Sequence, residues 1–206
     1  YKSKNSRYCD GDSCFDEILT DGLEEYLSGL KKDAFIVLHM IGSHGPTYYK
    51  RYPDSFRKFT PTCDTAEIQK CTREEIVNTY DNTILYTDFV VSRAIGILKK
   101  FPHLESGLLY VSDHGESLGE NNIYLHGLPY SIAPEEQKKV PTILWMSDNM
   151  KKFDHLDYSC IAKKAEENTF SHDNIFHTIL ALMEIRSKTY DKSLDMFDPC
   201  RLEPLP

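Results

Sequence analysis

The sequence predicts an α/β domain, a three-layer α/β/α sandwich built on a mainly parallel sheet. Three features carry that prediction. Largely apolar runs occur at 34–40, 107–112 and 140–146, and short runs with β-branched residues suit strands buried on both faces. Segments with helical apolar spacing alternate with them. Loops bearing glycine and histidine follow two of the runs, at strand carboxyl ends, where open α/β sheets bind their ligands.

Taken in order, 16–30 reads as an amphipathic helix, with Ile18, Leu19, Leu23, Tyr26, Leu27 and Leu30 at helical spacing. The strand 34–40 follows, then a polar, proline-bearing loop to about Cys71. Thr72-Arg73-Glu74-Glu75 is a capping box that opens a long helix to about Lys100. Its expected inner face is Ile76, Val77, Tyr80, Ile84, Val91, Ile95 and Leu98. The strand 107–112 comes next, then an irregular stretch from Gly115 to Gln137. The strand 140–146 contains Pro141, which has no N–H and so belongs at a strand start or an edge. A polar helix is expected over 157–168. Ser171 is expected to cap a last helix through Glu184, with Ile175, Phe176, Ile179, Leu180 and Met183 inward, before an irregular tail. No repeat, low-complexity tract or internal domain boundary stands out.

The bulk properties exclude some classes. The 206 residues are enough for one domain with a sizeable core. The net charge of -8 argues against nucleic-acid binding, which needs a basic footprint. No apolar run approaches the roughly 20 residues of a membrane span. The start, Tyr1-Lys2-Ser3-Lys4-Asn5, has neither methionine nor the apolar stretch of a secretory signal, so the chain reads as part of a longer or processed product. Cys9 and Cys14 bracket a turn sequence, and Cys63 and Cys71 bracket a short polar loop. Close pairs inside loops suit disulfide staples of an oxidising compartment, and a zinc ribbon would need Cys-x-x-Cys knuckles that are missing. Six cysteines allow 15 pairings. The expected set is Cys9–Cys14, Cys63–Cys71 and, by elimination, Cys160–Cys200.

The chemistry concentrates after the strands. Asp113 and His114 stand together in Ser112-Asp113-His114-Gly115-Glu116-Ser117. A carboxylate and an imidazole on rigid backbone suit a divalent metal, zinc first. His39 ends the first strand and is either a ligand or a hydrogen-bonded core histidine. His44 and His126, each followed by glycine in a loop, read as site residues. Glu116 either supports a ligand as a carboxylate partner or is a helix-start charge. Lys50 and Arg51, with Arg57 and Lys58 beyond them, are either a solvated loop or a rim that attracts a phosphate-bearing substrate. Neither a phosphate-binding P-loop nor a Gly-x-Ser-x-Gly elbow occurs.

Three strings read together carry a resemblance: His39-Met40-Ile41-Gly42-Ser43-His44-Gly45-Pro46, Ser112-Asp113-His114-Gly115-Glu116-Ser117-Leu118-Gly119-Glu120-Asn121, and Tyr124-Leu125-His126-Gly127. With Phe59-Thr60-Pro61-Thr62-Cys63, Tyr80-Asp81-Asn82 and Ala133-Pro134-Glu135-Glu136-Gln137, they resemble the lipid A phosphoethanolamine transferases, including the mobile colistin-resistance enzymes. These lie in the alkaline phosphatase and sulfatase superfamily, and the match runs from about Cys9 to the last helix.

The resemblance implies an alkaline phosphatase-like fold and a zinc-dependent catalytic domain on the periplasmic side of the inner membrane, joined to an N-terminal membrane domain. Asp113 and His114 match zinc ligands. His44 and His126 match histidines that contact the phosphoryl group or a second metal, and His39 is a candidate for that second site. In the family, a threonine takes phosphoethanolamine from a phospholipid such as phosphatidylethanolamine and passes it to an acceptor phosphate such as that of lipid A. That threonine and a zinc-binding glutamate lie upstream of every matched string, and Thr47 does not match the nucleophile motif. Residues 1–206 therefore read as the C-terminal portion of the catalytic domain, inactive alone, whose partners include its upstream part. The competing readings are a sulfatase-like hydrolase, a phosphoglycerol transferase, and a non-catalytic periplasmic binding module.

Overall fold

The computed structural model describes residues 7–10, 13–153, 156–167 and 169–203. Gly11 and Asp12, in the expected Cys9–Cys14 turn, and Asn168, at the expected end of the polar helix, lie outside the described residues. The chain divides into two compact units, one of Tyr1–Lys100 with Tyr110–Ile143, the other of Phe101–Leu109 with Leu144–Pro206. The described residues contain both helices and strands, in keeping with an α/β fold.

In the first unit, β1 (Cys9–Asp10) pairs antiparallel with β2 (Ser13–Cys14), and the Cys9–Cys14 disulfide joins them. The expected helix 16–30 is broken. A 3-10 turn at Asp16–Thr20 is separated from α1 (Leu23–Ser28) by Gly22, whose φ of 75° is left-handed. A helix cannot run through that conformation.

The expected strand 34–40 is overturned. It carries no ladder pairing among the described residues, and Phe35 and Val37 are 58% and 71% exposed. An apolar run signals a buried strand only where layers cover both faces, and the run itself does not specify them. Only β3 (Gly107–Val111) and β6 (Thr142–Met146) of the three expected strands form, and they pair with each other. Pro141 immediately precedes β6, where its missing N–H costs no ladder bond.

The long helix α2 (Arg73–Leu98) starts on the capping box: the Thr72 hydroxyl accepts from Glu75 N, and the Glu75 carboxylate accepts from Thr72 N at 2.7 Å. Its buried face differs from the apolar reading. Ile84 faces outward, while Thr79, Asn82 and Thr83 are buried beside Ile76, Tyr86, Val90, Ala94 and Ile97. The polar members serve the loop that precedes the helix. Asn82 Oδ1 accepts from Lys58 N at 2.8 Å and Phe59 N at 2.9 Å, and its Nδ2 donates to Phe59 O at 2.9 Å. Thr79 Oγ1 accepts from Cys63 N at 2.7 Å. The Cys63–Cys71 disulfide closes the same loop, and Cys63 packs with Tyr48, Ile68 and Ile76. A second cluster gathers Tyr52, Tyr86 and Val90 against Phe15, Met40, Phe56 and Phe89.

The stretch expected to be irregular holds a small hairpin, β4 (Ser117–Leu118) antiparallel to β5 (Tyr124–Leu125), and a short α3 (Glu135–Lys138).

In the second unit, α4 (Asp148–Phe153), α5 (Tyr158–Glu167) and α6 (Asp173–Leu182) follow β6. The core joins Met146, Leu156 and Ile161 to Met196, Phe197 and Cys200. The tail expected to be irregular is thus a core element. Met196 N donates to the buried Thr178 Oγ1 at 3.0 Å, Asn174 Nδ2 donates to Leu194 O, and Cys160–Cys200 anchors the end. Phe176 faces outward instead of inward, since Thr178 and Ala181 hold the buried face of α6.

Two stability outcomes are expected. Asn82→Ala strips one acceptor from two amides and one donor from a carbonyl, so urea unfolding should lose about 3 kcal/mol. A loss below about 1 kcal/mol would mean water replaces the amide there. Among the disulfides, serine replacement of Cys160 and Cys200, 40 residues apart, should cost roughly 4 kcal/mol, against roughly 2 for the pair 5 apart at Cys9 and Cys14. Equal losses in guanidinium melts would count against loop-closure entropy as the cause.

Candidate metal centre

Three segments of the first unit bring a histidine to one place. β3 leads through Ser112 and Asp113 to His114. Gly115 follows because of crowding: a Cβ there would collide with the Glu136 carbonyl, and Gly115 N donates to Gln137 O at 3.0 Å. The loop 41–45 carries His44. β5 ends at Leu125, whose φ of 62° turns the chain into His126. One ligand atom from each of His44, His114 and His126 lies within 4.8 Å of the other two. The rings of His114 and His126 are 3.8 Å apart, and His44 is 5.1 Å from His126 and 6.1 Å from His114.

Hydrogen bonding selects the tautomer of each ring. His44 Nδ1 is 2.7 Å from Gly45 O, and His114 Nδ1 is 3.0 Å from Gly115 O. A carbonyl oxygen only accepts, so each Nδ1 carries the proton and each neutral ring keeps its lone pair at Nε2. His126 Nδ1 is 3.0 Å from the Glu116 carboxylate, with the same consequence. A metal-binding imidazole is commonly fixed through its other nitrogen in this way.

Glu116 is buried, its side chain only 3% exposed, which excludes a helix-start charge. Besides His126 it accepts from Tyr48 Oη at 3.1 Å and Gly45 N at 3.3 Å. Burial first, and then the Glu116 charge, push the Tyr48 phenol well above its ordinary pKa. Tyr80, edge-on to Tyr48, is pushed up to about 12, chiefly by burial. Both phenols therefore stay protonated at physiological pH, and Tyr48 remains a donor.

The other sequence candidates sit differently. Asp113 is outside the three-histidine set; its side chain is 84% exposed and its carboxylate lies 3.8 Å from His114 Nε2. His39 is exposed on the segment 34–40, which removes the core-histidine reading, and it does not join the set. Arg51 turns its Nε to the His44 carbonyl at 2.9 Å, and Lys50 is exposed with Nζ 5.7 Å from the Tyr49 ring. Sequence reading gave no role to Tyr48, within the proline-bearing loop, or to Asp16, the first residue of the expected helix. Asp16 is buried and accepts from Ile41 N at 2.9 Å and Gly42 N at 2.7 Å.

The donor set fits zinc. Imidazole nitrogens beside the Asp113 carboxylate match its preference for nitrogen and oxygen ligands. Glu116→Ala should release His126 to the Nε2-protonated tautomer favoured by free imidazole, while His44 and His114 keep theirs. Long-range proton–nitrogen NMR of the metal-free chain reads this, and an unchanged His126 pattern would show that Glu116 does not set it.

Comparison with known proteins adds family relations. The sulfatase family profile matches residues 1–185. Over 194 residues the chain is 54% identical to phosphoethanolamine transferase EptA of Escherichia coli strain K12, covering 94% of this chain and 36% of that protein. It is 40% identical over 191 residues to phosphatidylethanolamine transferase Mcr-2 of Escherichia coli, covering 90% and 34%. Among solved structures, the integral membrane protein lipooligosaccharide phosphoethanolamine transferase A (EptA) of Neisseria meningitidis superposes with a TM-score of 0.91 at 51% identity, covering 94% of this chain and 36% of that one. The chain thus spans 36% and 34% of the length of the two curated relatives.

Proposed function

The chain belongs to the sulfatase family, and from that membership we propose that it is part of an enzyme that transfers phosphoethanolamine from a phospholipid to an acceptor phosphate such as that of lipid A. The observation that carries the reading is the three-histidine cluster, each ring fixed at Nδ1, in a chain homologous to phosphoethanolamine transferases over most of its length.

Asp113 and His114 would hold zinc, the carboxylate lying close enough to His114 Nε2 for both to reach one ion. Bound there, zinc would lower the pKa of a hydroxyl nucleophile and offset charge on phosphoryl oxygens. In this reading the nucleophile is a threonine of the longer protein, which takes the group as phosphothreonine and yields it to the acceptor. His44 and His126 face the same space. His126, backed by the Glu116 carboxylate, can carry a proton at Nε2 and deliver it to the leaving oxygen. His44 can donate to a phosphate oxygen as charge builds there. The donor is taken to be phosphatidylethanolamine, in keeping with the name of one relative. Among the described residues no helix is long and apolar enough to cross a membrane. Anchoring would fall to another part of the protein, with this domain on the periplasmic side of the inner membrane.

The test is transfer from a fluorescent phosphatidylethanolamine by the full-length protein bearing this chain, with and without lipid A. Acceptor-dependent transfer is expected. His126→Ala should lower kcat by about 10²- to 10⁴-fold, as loss of a general acid does. Release of ethanolamine phosphate at the same rate without acceptor would make the protein a hydrolase. No turnover in zinc-loaded protein would leave a binding role.

A further inference from the structure

The loop that delivers His44 has almost no secondary structure, yet its backbone is held at each step. The buried Asp16 carboxylate, 25 residues upstream, accepts from two successive amides, Ile41 N at 2.9 Å and Gly42 N at 2.7 Å. Between them and His44, the Ser43 hydroxyl meets that of the buried Thr83 on α2 at 2.7 Å. Arg51 Nε then takes the His44 carbonyl, and Glu116 takes Gly45 N. Asp16 differs from the rest of these groups. It alone grips the loop on its entering side through two bonds to one side chain, and Gly42 within that grip has a φ of 59°.

We propose that Asp16 is the positioning residue for His44: its carboxylate sets the angle at which the loop enters the site and so where His44 Nε2 stands relative to His114 and His126. This rests on the reading of His44 as a group that meets the phosphoryl group or its metal. Successive N–H groups converging on one carboxylate form a compact anion nest, and an ionised acceptor makes each bond roughly twice as strong as a neutral pair. Asparagine is nearly isosteric but has one acceptor oxygen, and its amide nitrogen would face an N–H donor. One loop amide then loses its partner, and the loop can swing about Gly42. Glutamate keeps both oxygens.

The experiment compares Asp16→Asn, Asp16→Glu and the parent chain by three readouts. Amide hydrogen exchange at Ile41 and Gly42 should quicken in Asp16→Asn by at least tenfold. The His44 ring resonances should move while those of His114 and His126 stay. Affinity of the zinc-loaded chain for inorganic phosphate, measured by titration calorimetry, should fall about 10-fold in Asp16→Asn, the scale of one hydrogen bond to a charged group, and recover in part in Asp16→Glu. A merely structural role would lower the melting temperature and move all three rings together. That result, or an unmoved His44 ring in folded Asp16→Asn, overturns the proposal. Should Asp16→Asn fail to fold, Gly42→Ala disturbs the same nest from the other side. Its φ is strained for alanine although no atom lies within 4 Å of the added Cβ, and the same selective His44 shift is expected. If the parent chain binds no zinc, the metal reading fails while the exchange and ring readouts still decide the role of Asp16.

Discussion

The site depends on one buried carboxylate. Glu116 accepts from His126, from Tyr48 and from the amide of Gly45. Those donors come from two stretches of chain far apart in sequence, 45–48 and the turn at His126. A buried carboxylate without partners would cost several kcal/mol or take up a proton, so the donors and the charge require one another. Their meeting fixes the separation of the His44 loop from the turn that carries His126. Neither histidine is held in place by a strand or helix of its own; the carboxylate between them does what a scaffold element would do elsewhere.

The legible parts of the sequence were those with local causes. The capping box at Thr72 and Glu75, the strands β3 and β6, and the disulfides Cys9–Cys14 and Cys63–Cys71 follow from short spacings, Cys160–Cys200 follows by elimination once those two are paired, and the structure has them all. The glycine-flanked histidines His44, His114 and His126 marked the place where the rings meet. What stayed hidden depended on distant partners. Phe35 and Val37 advertise a buried strand, but the pattern says nothing about a ladder neighbour. Asn82 and Thr79 look like outward polar residues of a helix because their partners are loop amides with no periodicity. Asp16 looks like a helix start because nothing in its neighbourhood predicts Ile41 and Gly42 above it. Phe197 and Met196 lie in a proline-bearing tail, where composition points away from the core they complete.

The chemistry proposed for the family asks for groups that do not rearrange as charge moves, because reorganisation at the moment of reaction raises the barrier. The wiring here suits that demand. The tyrosine that donates to Glu116 stays protonated through the physiological range, and the backbone beside His44 is gripped by the Asp16 carboxylate at the amides before it and by the Arg51 guanidinium at its carbonyl. Asp113 lies mostly in solvent, without the burial that holds Glu116. Rigid imidazoles with one solvent-exposed carboxylate is a division of labour suited to a site that must accept a substrate and then let it go.

The loop around Lys58, Phe59 and Cys63 shows what such wiring means for motion. Its path is irregular, and surface loops ordinarily open to solvent with little free-energy cost. Here its amides are bonded to Asn82 and Thr79, two side chains rooted in the middle of the longest helix. Those amides open only by breaking bonds to side chains of α2, which couples opening of the segment to the helix. In shape it is a loop; in its hydrogen bonds it is tied to the side of α2.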